Sequence, residues 1–245
     1  MNDFSLLDSR NFITTKKLGK PEMHKMIARK PIKQTDSRLN LKILEEDEVK
    51  RLLAIAKSGA YIREPIDDSE DYLMHRNYMI ILLAVASGMR QGEILGLTWQ
   101  CVDGAKIEIK HSLQYLQHTP VLTIPKNGLT RTIAIPDAVA KELNAWQECQ
   151  ADHAARYMGI YDNPLNLVFT NAQGGAVNGH RFTSVFRDMI ATAGLEKVRF
   201  HDLRHYWARA ALARGVSMMA VNEQLGHRII DIPLSMYPLC CVANH

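Results

Sequence analysis

The apolar residues of this chain change their spacing twice along the sequence. Over 44–56 and 75–87 they follow a helical period or form a continuous apolar stretch of helical length. From Ala105 the spacing is two, which is typical of strands, and from Asp137 it is helical again. The pattern predicts a mainly α protein with a small three-stranded antiparallel β-sheet in its middle.

The sheet is predicted from three short segments with alternating or β-branched residues, at 106–110, 121–126 and 131–136. Asn127-Gly128 is a hairpin signal, so the second and third strands are predicted to pair directly. The helical pattern predicts seven helices, at 44–56, 75–87, 91–97, 137–158, 178–193, 201–214 and 217–225.

Charge divides the chain into two parts. Residues 1–42 hold ten Lys/Arg and four Asp/Glu, whereas the remainder holds 20 and 22. Together with the absence of an apolar period, this predicts a basic arm or linker over 1–42, partly ordered at best, and one domain over 43–245. Such an arm fits a solvated tail and a segment that lies on nucleic-acid phosphates equally well.

Membrane and secreted classes are disfavoured. The longest apolar run, Tyr78 to Ala86, is far shorter than the roughly 20 residues that span a bilayer. The N-terminus lacks the order of a signal peptide, and the four cysteines include no CxxC pair. We therefore expect a cytoplasmic protein with no membrane partner.

Two clusters stand out as candidates for chemistry. Arg90 follows a glycine at the end of the apolar helix, and its spacing to Glu93 places both on one helix face. By the same reasoning His201, Arg204 and His205 lie on one side of a helix. Taken alone, the first pair is a surface ion pair and the second cluster a hydrogen-bonded histidine pair.

The second cluster has a metal alternative. His201-Asp202-Leu203-Arg204-His205 resembles the zinc motif H-E-x-x-H with a shorter acid, which would indicate a zinc hydrolase. Two features disfavour it. Arg204 would place a fixed positive charge beside a dication, and Asp202 is one methylene shorter than the usual general base.

Three further residues are weak candidates alone: Lys126 beside the predicted turn, His227 after Leu225-Gly226, and Tyr237. Together the candidates supply what phosphodiester cleavage by an organic nucleophile needs. Two arginines can bind one phosphate, a lysine can protonate the leaving oxygen, histidines can move protons and a tyrosine can attack. The arginines supply the positive charge, so this chemistry needs neither metal nor cofactor.

In this order the residues resemble the tyrosine recombinase family, also called the phage integrase family, over about 43–245. Ser87-Gly-Met-Arg-Gln-Gly-Glu-Ile-Leu-Gly-Leu-Thr-Trp99 resembles the family's first arginine box. His201-Asp-Leu-Arg-His205 with Leu225-Gly226-His227 resembles its second. The resemblance implies the fold of that family's catalytic domain, with a helical body and a small antiparallel sheet.

The resemblance also implies residue roles in site-specific recombination of double-stranded DNA through a 3′-phosphotyrosine, without metal or ATP. Arg90 and Arg204 would bind the scissile phosphate, Lys126 would protonate or stabilise the leaving oxygen, and Tyr237 would attack the phosphate. His201 and His227 would assist proton transfer, with Glu93 and His205 supporting. The protein would be monomeric in the cytoplasm and tetrameric on DNA, hence nucleoid-associated when active.

The sequence departs from the family pattern at both ends. Tyr237 follows His227 by ten residues, one more than in many relatives, and Pro238-Leu239-Cys240-Cys241 replaces the usual Y-x-H. Residues 1–42 are too few for the family's core-binding domain. An impaired or truncated DNA-binding relic of the same fold is therefore an alternative, as is a topoisomerase-like use of the same chemistry.

Overall fold

The computed structural model describes residues 44–62, 69–125, 128 and 130–226. Several sequence predictions fall outside this part of the chain: the basic arm over 1–42, and the site residues Lys126, His227 and Tyr237. The division of the chain at residue 42 stays a prediction. None of the helices in the described part is both long enough and apolar enough to cross a lipid bilayer.

The described chain is mainly helical, as the sequence predicts. Seven α-helices are present: α1 Glu46–Ser58, α2 Glu70–Ser87, α3 Gln91–Leu95, α4 Asp137–Arg156, α5 Gly179–Thr192, α6 Phe200–Ala213 and α7 Met218–Leu225. A short 3₁₀ turn covers Trp99–Cys101. The helix predicted to begin at residue 75 begins earlier, because Glu70 and Asp71 occupy its first turn, where acidic groups face the positive end of the helix dipole.

Helix α2 is the centre of the hydrophobic core. All residues from Met79 to Ala86 are at most 1% exposed, so the helix is buried on every side, and α1, α4 and α6 pack against it. It ends at Gly88, whose φ of 67° is left-handed. A side chain on Gly88 would lie 2.8–2.9 Å from Leu225 and Trp207, so this glycine also lets α6 and α7 approach the end of α2.

The sheet has three antiparallel strands, but only two of them lie where the sequence predicts strands of this sheet. Its order is β1 (Val102–Asp103), β2 (Lys106–Ile109) and β5 (Arg131–Ala134). Ile107 pairs with Ile133 and Ile109 with Arg131. The buried isoleucines turn this sheet's inner face toward the core.

The predicted pairing of the second and third strands was wrong. The segment around Val121 forms β4 (Thr119–Thr123), which pairs with β3 (Ser112–Leu116) in a separate two-stranded hairpin. Its turn is formed by Gln117 and His118, with φ of 48° and 69°. Positive φ at both central turn residues matches the strand twist of a tight hairpin. Because neither residue is Gly or Asn, the turn has no strong sequence signal.

Candidate active site

Arg90 lies directly before α3 and caps its N-terminus. Its backbone N–H donates to Glu93 Oε2 at 2.9 Å, and its Nη1 donates to Glu93 Oε1 at 2.9 Å. The Glu93 side chain is 1% exposed and that of Arg90 is 24% exposed. The spacing of three residues thus brings the pair into contact, as the sequence indicates, with the carboxylate inside and the guanidinium reaching solvent.

Arg131, the first residue of β5, completes this cluster and was not among the candidates identified from sequence. Its Nη1 and Nη2 donate to the two Glu93 oxygens at 3.0 and 2.7 Å, and its Nε donates to the backbone oxygen of Gln224 at 2.7 Å. The only sequence signal is its position five residues after Lys126, on the strand that follows the predicted turn.

The charges of these arginines keep Glu93 ionised. Burial by itself would raise the pKa of Glu93, but the hydrogen bonds and charge of Arg131, followed by those of Arg90, lower the pKa to about 2. A buried carboxylate with two guanidiniums and a backbone N–H leaves the cluster positively charged.

Arg204 lies on α6 and is 2% exposed. Its Nη1 donates to the Gly88 oxygen at 2.6 Å and its Nη2 to the Leu225 oxygen at 2.5 Å. These carbonyls stand at the C-terminal ends of α2 and α7, where the helix dipoles are negative and the last backbone oxygens lack intrahelical partners. Two helix ends therefore hold the second predicted arginine.

Arg204 remains protonated at neutral pH although its environment opposes the charge. Burial lowers the pKa of Arg204 to about 9, and the charges of Arg90 and Arg131 act in the same direction while Glu93 opposes them. Arg90, Arg131 and Glu93 therefore lie close enough to Arg204 for their charges to act on it. Three guanidiniums and one carboxylate make this a site for an anion.

His201 and His205 stand on the first turns of α6 beside the arginines. Their rings meet edge to face with centroids 4.8 Å apart. Desolvation of the ring, then the charges of His205, Arg204 and Arg90, lower the pKa of His201 to about 4. His201 is therefore neutral at physiological pH and offers one nitrogen that accepts a proton. Its outer side is exposed to solvent.

The position of Asp202 argues against the zinc alternative, in which this residue would be the general base. Asp202 is 1% exposed and turns back to its own helix start, where it accepts from the Arg199 backbone N–H at 2.8 Å and pairs with the Arg199 guanidinium at 2.9 Å. A carboxylate that caps the helix is not placed as a general base for a metal-bound water. Among the described residues, no group of three or more His, Cys, Asp or Glu forms a possible metal site.

Tyr206, two positions after Arg204 on α6, lies away from the arginines of this cluster. It is 6% exposed, and burial raises the pKa of its phenol, with Glu46, Lys50 and Arg214 as its charged neighbours. This places the ring on the α1 side of α6, so Tyr206 cannot attack a phosphate held by Arg204.

Lys126, His227 and Tyr237 lie outside the described residues, but the residue directly before His227 reaches the cluster. Gly226, directly before His227, caps α7 with φ of 64°, and a side chain there would lie 3.1 Å from the Arg131 side chain. Arg131 itself begins the strand that follows Lys126. The residue before His227 thus lies next to Arg131, while Lys126 precedes Arg131 by five positions.

Comparison with known families shows to which family the chain belongs. The model of the phage integrase family matches residues 42–237, and the chain belongs to that family. A "Tyrosine recombinase XerC-like" protein of Caldanaerobacter subterraneus subsp. tengcongensis is 29% identical over 177 residues, covering 66% of this chain and 45% of the relative. The ICEBs1 integrase of Bacillus subtilis (strain 168) is 24% identical over 171 residues, covering 69% of this chain and 45% of the relative.

Solved structures share the fold. The integrase of transposon Tn1549, in complex with transposon right end DNA, has a TM-score of 0.65 at 16% identity, covering 83% of this chain and 63% of that one. XerA recombinase has a TM-score of 0.56 at 23% identity, covering 76% and 56%. The predicted fold, that of a tyrosine recombinase catalytic domain, is confirmed. The chain spans about half the length of the curated relatives it matches.

Proposed function

We propose that this chain carries out site-specific DNA recombination of the integrase type, by cleaving and rejoining DNA through a covalent 3′-phosphotyrosine. The observation that supports this most strongly is the convergence of Arg90 and Arg204, which are 114 positions apart, beside the neutral His201. Family membership and a relative's structure with transposon DNA point to double-stranded DNA as the substrate.

The arginines act on the scissile phosphate. Arg90 is partly exposed, and its Nε and Nη2 make no hydrogen bond within the described residues. These donors and the charge of Arg204 face developing negative charge as the phosphate becomes pentacoordinate. Because both groups are held in advance by Glu93 and by two helix ends, they stabilise the transition state without first having to reorganise.

The bond changes follow the roles that the resemblance implies. The Tyr237 oxygen attacks phosphorus and the bond to the 5′-oxygen breaks. The phenolic proton passes to His201 or His227, and Lys126 gives a proton to the departing 5′-oxygen. Rejoining reverses these transfers with the 5′-hydroxyl of a partner strand, so one ester replaces another. The arginines supply the positive charge, and no step uses ATP or a metal ion.

The assembly is part of the proposal. Exchange between two duplexes requires four cleavages, so we propose a tetramer on DNA formed from free monomers, in the cytoplasm and bound to the nucleoid when active. With the curated relatives about twice as long, the matched region corresponds to a catalytic part.

Covalent capture tests the proposal. The protein is mixed with synthetic duplexes that carry a randomised segment and a nick, so that the short 5′-hydroxyl fragment diffuses away after cleavage. The expected result is a denaturant-resistant protein–DNA adduct enriched in one sequence and absent in Tyr237→Phe. Tyr206→Phe is the matched control and should keep the adduct, because its phenol faces α1.

The ten-residue interval between His227 and Tyr237 favours one alternative, the impaired relic. It predicts salt-dependent duplex binding without any adduct from the folded protein, a result that would refute the enzymatic proposal. Adduct formation with relaxation of any supercoiled plasmid, and no sequence enrichment, would instead indicate a topoisomerase-like activity.

A further inference from the structure

Arg131 joins three elements of the site through one guanidinium. It begins β5, donates through Nη1 and Nη2 to Glu93 at the start of α3, and donates through Nε to the Gln224 oxygen at the end of α7. Its side chain is 10% exposed. All three nitrogens of Arg131 are thus bonded within the protein, and its guanidinium is almost buried.

The hydrogen bonds of Glu93 explain what this arrangement achieves. Each carboxylate oxygen accepts two bonds, one from Arg131 and one from Arg90. A carboxylate has about four acceptor positions, so Glu93 is saturated. Because Arg131 fills two of them, Arg90 contributes only its backbone N–H and Nη1. The remaining edge of Arg90, Nε and Nη2, is left for a phosphate.

We propose that Arg131 is a positioning residue for the phosphodiester transfer, which saturates Glu93 and thereby keeps the outer edge of Arg90 available to the scissile phosphate. This rests on the proposed function. Without Arg131, the buried carboxylate would have Arg90 as its only cationic partner within the described residues, and would draw both Nη groups inward. The hydrogen bond from Arg131 to the Gln224 carbonyl, two residues before Gly226, would also be lost.

Two variants of Arg131 separate the effect of its hydrogen-bond geometry from the effect of its charge. Arg131→Lys keeps the positive charge but cannot form a two-point contact with Glu93 and a third bond to Gln224, and Arg131→Gln removes the charge as well. Lys106→Gln is the control, because it removes one exposed charge from the neighbouring strand β2. Thermal unfolding identifies the variants that remain folded.

The readouts are the dissociation constant for inorganic phosphate and the rate of adduct formation on the captured duplex. We expect both Arg131 variants to weaken phosphate binding about tenfold and to slow adduct formation about 10²-fold. Lys106→Gln should match the unchanged protein. If Arg131→Lys binds phosphate as tightly as the unchanged protein, the positioning role is overturned and only charge matters.

A double variant provides a readout that a merely structural role would not move. In Glu93→Gln/Arg131→Gln the neutral amide no longer captures Arg90, so the double variant should recover about tenfold of the rate that Arg131→Gln loses. Additive losses in a folded double variant would overturn the inference. If the unchanged protein forms no adduct, the proposed function fails, whereas the phosphate comparison still decides the role of Arg131.

Discussion

Two regions at opposite ends of α2 bury arginines in different ways. Near its start, Arg76 is 8% exposed and uses its nitrogens on the Asn77 side chain and the Thr170 oxygen. Near its end, Arg204 also binds backbone oxygens, but Arg90 and Arg131 lie close by. Burial lowers the pKa of Arg76 to about 10 and that of Arg204 to about 9.

The difference lies in the neighbours of each guanidinium. Arg76 is enclosed by tyrosines, which favour its charge, and its bonds connect α2 to the Thr170 segment. Arg204 has two further cations beside it, which disfavour its charge, and one of them reaches solvent. A single enclosed arginine stabilises the fold through its hydrogen bonds. Neighbouring arginines repel one another, and where one of them reaches solvent, a bound anion reduces that repulsion.

The largest effect is expected for Arg204→Lys. A lysine cannot reach both helix-end carbonyls and present the same planar donors, so adduct formation should fall about 10²- to 10³-fold. Arg76→Lys is the matched substitution at the other end of α2 and should leave the rate per folded molecule unchanged. An equal loss in both, at equal stability, would remove the distinction between the two regions.

Lowering the pH should destabilise the protein through the Glu93 carboxylate, but not through the neutral Asn77 amide that accepts hydrogen bonds from Arg76. The pKa of Glu93 is lowered from 4.5 to about 2, so its contribution is complete above pH 4.5 and is lost as the pH falls toward 2. The free energy of unfolding should decrease by about 3 kcal/mol across this window.

Denaturant titrations at several pH values measure this contribution. Glu93→Gln should flatten the acid dependence, whereas a neutral replacement of the exposed Glu108 should change it little. An identical acid slope in the protein and in Glu93→Gln would show that Glu93 does not carry the charge linkage.

Arg76 should contribute more to the free energy of unfolding than Arg90 does. Arg76→Met leaves the Thr170 oxygen and the Asn77 side-chain oxygen without their partner, at a cost of about 1–3 kcal/mol. Arg90→Met removes a partly exposed group and should cost less stability than Arg76→Met. Urea unfolding compares the two, and a larger stability loss in Arg90→Met would contradict the assignment.

The smallest effect is expected at His201, whose pKa is lowered by desolvation and then by its cationic neighbours. Replacing Arg90 with Gln should raise the pKa of His201 by a fraction of a unit, and saturating phosphate should raise it too. NMR titration of the imidazole measures both changes. A pKa that responds to neither would place His201 outside the electrostatic field of the site.

Much of the site was accessible from spacing alone. Arg90 with Glu93, and His201 with His205, are neighbours three or four residues apart on helices, and in both cases the structure shows the predicted contact. The helices were predicted because apolar periodicity reflects which face is buried. Lys126, His227 and Tyr237 stay predictions.

The sheet shows where such reasoning stops. Strand β4 was paired with the wrong neighbour because Asn127-Gly128 is a stronger turn signal than Gln117-His118, although the latter forms the hairpin. Strand pairing depends on which partner completes the packed face, and alternation within one strand does not carry that information.

Spacing within a helix was thus sufficient to predict the contacts of Arg90 with Glu93 and of His201 with His205, since such contacts form within one turn. Arg131, and the carbonyls that hold Arg204, became visible only in the folded chain. Arg131 meets Glu93 across 38 positions, and Arg204 meets Gly88 across 116. Contacts of that range depend on how the core brings helix ends and strand together, and no local pattern of residues encodes them.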